Sequence, residues 1–122
     1  MDDESRTRGV EVYKRLGLPR ASGPPLPDAF RDMTMGHLFG VVWSRPGLEL
    51  RERSMITVTT LAALGRDAQL RLHLRGALNV GIGREQLEEL LLHVAHYAGW
   101  PVAVSALQVL AEVVGEMEAE QA

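Results

Sequence analysis

LRLHLRGALNVGIGREQLEELLLHVAHYAGWP, residues 70–101, decides the fold and carries three of the four histidines of the chain. Its first half places Leu70, Leu74, Ala77 and Leu78 on one helical stripe, His73 falls on that stripe, and Gly81 suits the helix end. After Gly81-Ile82-Gly83, the acids Glu85, Glu88 and Glu89 alternate with Leu87, Leu90 and Leu91, as at a helix start with carboxylates near its positive end. The run 90–100 is then apolar almost all round, which predicts burial of its later turns. His93 and Tyr97, four apart, share a face, with His96 on the adjoining edge. Gly99 and Pro101 stop this helix and open another with proline in its first turn.

Working outward, Asp2 to Leu16 opposes Val10, Val12, Tyr13 and Leu16 to a charged face, predicting a short amphipathic helix ended by Gly17. LGLPRASGPPLP is a loop by composition. Asp28 is placed to cap a helix through Phe30, Leu38, Phe39 and Trp43, in which Gly36 and Gly40 favour close helix packing over a ligand seat; His37 beside them reads as a surface or interface residue. Ser44–Gly47 is a turn. The following Leu48–Leu64 contains Ile56-Thr57-Val58-Thr59-Thr60, which has strand propensity. The segment is about three times a typical strand of roughly 5–6 residues, so a central helix is the more consistent reading. Pro101 to Met117 is a last helix, followed by an acidic tail expected to fray. These elements define an all-α single domain, 1–122, of about six helices, with an N-terminal helix and proline-rich loop (1–27) and a helical core (28–118).

A chain of 122 residues with 46% hydrophobic content supports one core. With no cysteine, thiol catalysis and disulfides are excluded. The charged start and the lack of an apolar run near the roughly 20 residues of a membrane helix predict a soluble cytoplasmic protein. A net charge of −3 gives no reason to expect nucleic acid. Between Arg45 and Arg84, however, seven arginines face three acids. That basic middle suits a small anionic ligand held by guanidinium forks, or equally a solvated face with intersubunit ion pairs. His93 and His96 have a spacing that permits a metal, but no acid stands on their face, and none is expected. The apolar helix faces, two tryptophans and a glycine-rich second helix exceed what one small core hides, predicting self-association.

WSRPGL (43–48), RSMITVTTLAALGR (53–66), LRLHLRGALNVGI (70–82) and LLHVAHYAGWP (91–101), with RGVEV (8–12), resemble successive blocks of the carboxymuconolactone decarboxylase family. The resemblance implies an all-helical, alkylhydroperoxidase D-like bundle assembled as trimers or hexamers, with sites near subunit interfaces. It also implies cofactor-free conversion of 4-carboxymuconolactone into 3-oxoadipate enol-lactone in aromatic-acid breakdown. Peroxidase relatives carry Cys-x-x-Cys where this chain has Arg66 and Gln69, and a proton-relay glutamate where it has Ser54, so thiol peroxidase chemistry is excluded. The decarboxylases typically read Trp-Gly-Glu-Val-Trp where this chain has Phe39-Gly40-Val41-Val42-Trp43, and Asn-Asn-Gly where it has Asn79-Val80-Gly81.

Such a reaction needs a carboxylate anchor, a partner for an enolate oxygen and a proton for carbon. His73 and His93 are the catalytic candidates, with Arg45, Arg51, Arg75 and Tyr97 as substrate-binding candidates. Two other readings remain open. The scaffold could serve isomerisation, lactone opening or dehydration of a polyketide-like substrate, or it could be a non-catalytic oligomeric small-anion-binding protein with core histidines.

Overall fold

The computed structural model describes residues 2–19 and 23–122. Among them there is no strand, and six helices follow one another: α1 (Asp3–Leu16), α2 (Asp28–Met33, continuing as a π-helical segment Thr34–Val42), α3 (Leu50–Leu64), α4 (Asp67–Asn79), α5 (Arg84–Ala98) and α6 (Trp100–Gln121).

Helices α3 to α6 form the main core around Val58, Leu70, Leu74, Leu87, Leu91, Leu110 and Val113, all essentially inaccessible to solvent. The strand-like run 56–60 is helical, as expected from its length. Its threonines satisfy their hydroxyls within the helix, Thr57 donating to the Arg53 carbonyl at 2.9 Å and Thr60 to the Ile56 carbonyl at 2.8 Å. Helix α3 starts at Leu50, where Glu52 accepts from the Glu49 N–H at 2.8 Å, and ends at Gly65 in the left-handed region. Gly99, with φ 118°, separates α5 from α6, and Pro101 sits in the first turn of α6.

A smaller core of Leu16, Phe39 and Trp43 joins α1 and the π-helical segment to this bundle. Its closeness rests on two glycines. A Cβ on Gly9 would lie 1.8 Å from the Met35 carbonyl oxygen, and one on Gly40 would lie 2.0 Å from that of Ser5. Gly40 thus serves close packing, as its sequence context indicates, and Gly9 is its counterpart on α1. At the other end of α1, Asn79 donates from Nδ2 to the Leu16 carbonyl at 2.8 Å, tying α1 to α4.

Three expectations are corrected. Asp28 is the first residue of α2, behind Pro27, and its carboxylate pairs with Arg31 instead of capping the helix. The acidic tail is helical: α6 runs to Gln121, and Glu112, Glu116 and Glu120, spaced one turn apart, meet Arg71 and Arg75 on α4. The later turns of α5 are buried on one side only. Val94 and Ala95 are buried, but Leu92 is 46% and Tyr97 84% exposed, as is Trp100 at the start of α6 (61%), since α3 and α6 cover only one side of α5. A second uncovered apolar area comprises Phe30, Met33, Leu38, Val41 and Val42 on α2 and its π-helical extension. No helix among the described residues is long and apolar enough to cross a membrane.

Candidate active site

The residues proposed from sequence fall into three places. The first is centred on Trp43, which is almost buried at the end of the π-helical segment. There Ser44 turns its hydroxyl back to the Phe39 carbonyl at 2.7 Å, which closes the helix and starts the 44–49 turn. Trp43 stacks on His73 of α4, with ring centroids 6.0 Å apart and planes 24° from parallel. His73 is half-buried, and burial lowers its pKa below the ordinary imidazole value. The ring is therefore neutral at pH 7, with one N–H to donate and one nitrogen to accept.

Trp43 also forms part of the wall of a groove of about 390 Å³ that runs between α1 and the 44–50 segment. Arg45 lies in that wall, together with Arg8, Glu11 and Arg15 of α1. Arg8 donates from Nε to the Gly40 carbonyl at 3.3 Å. None of Arg8, Arg15 and Arg45 forms an ion pair with a carboxylate of the described residues. Trp43, Arg8 and Arg15 were not among the sequence candidates. The signal for the two arginines was present, because positions 8, 11 and 15 lie on one face of a helix. What sequence alone lacked was the partner surface that α1 would meet.

Arg51 and Arg75 are placed differently. Arg51 sits in the first turn of α3 and donates from Nη1 to the Gly81 carbonyl at 3.0 Å, leaving it without a carboxylate partner among the described residues. The fork of Arg75 is filled, both nitrogens meeting the Glu120 carboxylate at 2.8 and 2.9 Å. That pairing raises the Arg75 pKa and lowers that of Glu120. Arg75 therefore holds α6 against α4, with no free donor pair to offer an incoming anion.

His93 and Tyr97 occupy the third place. They stack on each other with centroids 5.2 Å apart, and both are exposed on α5. His93 also lines an apolar cavity of about 460 Å³ with Met55, Ile56, Thr59, Leu90 and Val94. His73 lies away from that cavity, on Trp43, so a single chain does not unite the two histidines. His96 approaches the Leu92 carbonyl at 2.8 Å through Nδ1, an interaction within its own helix, and His37 is exposed. Among the described residues no three histidine or acidic side chains converge as metal ligands. Ser54, standing where peroxidase relatives have a glutamate, is buried on α3, and its hydroxyl has no partner among the described residues.

Chemically, the Trp43 region combines a neutral imidazole, an aromatic face and guanidinium groups free of carboxylates. Such a set can hold an anion by its carboxylate and donate a hydrogen bond to a developing oxyanion.

The model of the carboxymuconolactone decarboxylase family matches residues 28–112. The chain is 41% identical over 120 residues to 4-carboxymuconolactone decarboxylase of Acinetobacter baylyi, which covers 93% of this chain and 90% of that protein. It is 35% identical over 79 residues to nitrosuccinic acid decarboxylase of Metarhizium robertsii, covering 65% of this chain and 55% of that one. An uncharacterized 15.0 kDa protein of Paracoccus denitrificans is 27% identical over 84 residues, 67% of this chain and 63% of its own length.

Proposed function

Because this chain belongs to the carboxymuconolactone decarboxylase family, we propose that it is a carboxy-lyase whose reacting centre lies against Trp43 and His73, with 4-carboxymuconolactone as its substrate. The observation that carries this reading is the half-buried His73 stacked on Trp43, beside a groove whose arginines have no carboxylate partner among the described residues.

In this reaction the bond from the ring carbon to its carboxylate breaks and CO2 leaves. The electron pair passes through the ring double bond onto the lactone carbonyl, giving a dienolate, and a proton is then added at carbon. Arg45 binds carboxylate. His73, neutral at rest, donates its N–H to the dienolate oxygen, where the hydrogen bond strengthens as negative charge develops. His73 is half-buried against Trp43, so its ring is partly shielded from water that would compete for the N–H. Arg51, which is outside the groove wall in the first turn of α3, is assigned only a longer-range electrostatic role.

His93 and Tyr97 belong to a different surface. They stand among apolar residues left uncovered in one chain, and we assign that face to a neighbouring subunit in a homo-oligomer. A trimer or hexamer is the expected assembly.

The similarity to a nitrosuccinic acid decarboxylase favours one variation of substrate. A nitro group can accept the carbanion's electrons as a nitronate, as a lactone carbonyl accepts them as an enolate, so the same site could serve either electron acceptor. Val41 stands where the decarboxylases typically have an acid, but it lies outside the groove wall and among exposed apolar residues.

The test is to incubate wild type and His73→Ala with enzymatically generated 4-carboxymuconolactone and, separately, with nitrosuccinate. Ultraviolet spectroscopy and mass spectrometry then follow CO2 loss. Release from the lactone by wild type, reduced at least about 100-fold in His73→Ala, is the expected outcome. Release from nitrosuccinate alone would transfer the assignment to that substrate. Release from neither, in a correctly assembled protein, would refute the decarboxylase reading. Equal activity in His73→Ala would remove His73 from the chemistry.

A further inference from the structure

The groove beside Trp43 has a charge that the decarboxylation alone does not require. Its wall carries three guanidinium groups, Arg8, Arg15 and Arg45, against the single carboxylate of Glu11. Counting the wall groups alone, three guanidinium groups against one carboxylate leave an excess of two positive charges, part of which Asp2, Asp3 and Glu4 around Arg8 offset. The arginines are also separated by element. Arg8 and Arg15 are two helical turns apart on α1, while Arg45 projects from the turn after Trp43. One carboxylate cannot bridge all three: seven residues of helix span about 10 Å, several times the width of a carboxylate.

We propose that this groove is a dicarboxylate-selective anion site, in which Arg15 holds the carboxylate that the reaction leaves in place, Arg8 adds longer-range attraction, and the departing carboxylate lies toward Trp43 and Arg45. The inference rests on the decarboxylase reading for the identity of the leaving group, and on the charge and spacing of the wall for the rest. Both named substrates fit its chemistry, since carboxymuconolactone and nitrosuccinic acid each carry two carboxyl groups.

The same electrostatics separate substrate from product. A dianion takes up one proton and releases neutral CO2, leaving a monoanion. The positive excess of the wall therefore attracts the dianionic substrate more strongly than the monoanionic product, which favours product release and binding of the next dianion. Arg15 binds a remote part of the substrate and Arg8 attracts it, so their contribution is to binding and orientation, with the bond-breaking left to the Trp43 and His73 end.

The decisive experiment uses the full-length protein, its Arg15→Gln variant and an Arg8→Gln/Arg15→Gln variant. Arg84→Gln serves as a control, because Arg84 pairs with Glu88 on α5, on another element and outside the groove wall. Calorimetric titration with succinate and with butanoate compares two probes of equal carbon chain that differ by one carboxylate. Wild type and Arg84→Gln should bind succinate at least about 10-fold more tightly, the scale of one charge-assisted contact. Arg15→Gln should shrink that preference and the double variant should abolish it. Equal affinity of wild type for both probes, or a preference that survives in the double variant, would overturn the proposal.

Kinetics provide the second readout. KM for the lactone should rise about 10- to 100-fold in Arg15→Gln with kcat changed by less than about 3-fold, whereas a fall in kcat at constant KM would refute a purely binding role. Arg15 has no described hydrogen bond, so its variant tests the groove without loosening the contact from Arg8 to Gly40. Absence of turnover in wild type, with the succinate preference intact, would sink the decarboxylase reading and leave the anion site standing.

Discussion

Gly40→Ala and Gly115→Ala replace glycine by alanine in two helical segments and should move stability in opposite directions. At Gly115, in α6, a Cβ would meet nothing within 4 Å. The change there collects only the difference in helix propensity, a gain of about 0.8–1 kcal/mol. At Gly40 the new Cβ would lie 2.0 Å from the Ser5 carbonyl oxygen and 2.7 Å from its carbon, where ordinary contact begins at 3.4 Å. Both obstacles are backbone, so no rotamer change relieves them, and α1 must move from the π-helical segment by about 1.4 Å. Gly40 does not have a positive φ, which excludes backbone strain and isolates the steric effect. Overpacking costs about 1–3 kcal/mol, and the opened crossing also disturbs the core of Leu16, Phe39 and Trp43. Set against the propensity gain, that cost leaves a net loss of roughly 0–2 kcal/mol, toward the upper end because both obstacles are backbone and the small core is opened as well. For a chain of this length each kcal/mol shifts Tm by roughly 3–6 °C. Calorimetric melts at one fixed protein concentration should therefore show Gly40→Ala several degrees below wild type and Gly115→Ala a few degrees above it. A Gly40→Ala protein as stable as wild type would refute the close-crossing argument.

Three further outcomes are expected. His73 is held below its ordinary pKa of 6.5 by burial, so it adds no pH dependence where both folded and unfolded imidazoles are neutral. As pH falls through about 6.5 the unfolded chain takes the proton first and stability drops, by up to about 1.4 kcal/mol per pH unit, until the folded ring also protonates. Denaturant titrations of wild type minus His73→Gln between pH 7 and 5 should show that slope, and a flat difference would contradict it. Arg75→Gln should raise amide exchange in the last turn of α6, measured by hydrogen–deuterium exchange, with little change in α5; unchanged protection there would show that the ion pairs do not hold the tail. Sedimentation should return a homo-oligomer, and Trp100→Glu should dissociate it. A stable wild-type monomer at micromolar concentration would defeat that expectation.

Much of this architecture could be read in the chain because its signals are local. Gly17, Gly65 and Gly99 mark helix ends, Leu70, Leu74 and Ala77 mark a buried stripe, and length settles the helical state of the β-branched run around Val58. His73 could be selected for the same reason, since an imidazole on an apolar stripe announces partial burial. Its partner could not: Trp43 is 30 positions away, and only the packing of α1 against both the π-helical segment and α4 brings the two rings together. The sorting of the arginines was equally hidden. Arg75 and Arg45 look alike in sequence, yet Glu120 fills the fork of one while the other lines a groove with Arg8 and Arg15.

Sequence by itself thus determined the helical elements, the exclusion of thiol chemistry and the family blocks, all of which depend on neighbours within a few residues or on composition. Tertiary structure alone decided which charges are paired, which histidine meets an aromatic face and which apolar surface stays open. Those outcomes depend on distances between residues far apart in the chain, and helical periodicity specifies only which side of a helix a residue occupies, never what comes to lie opposite it.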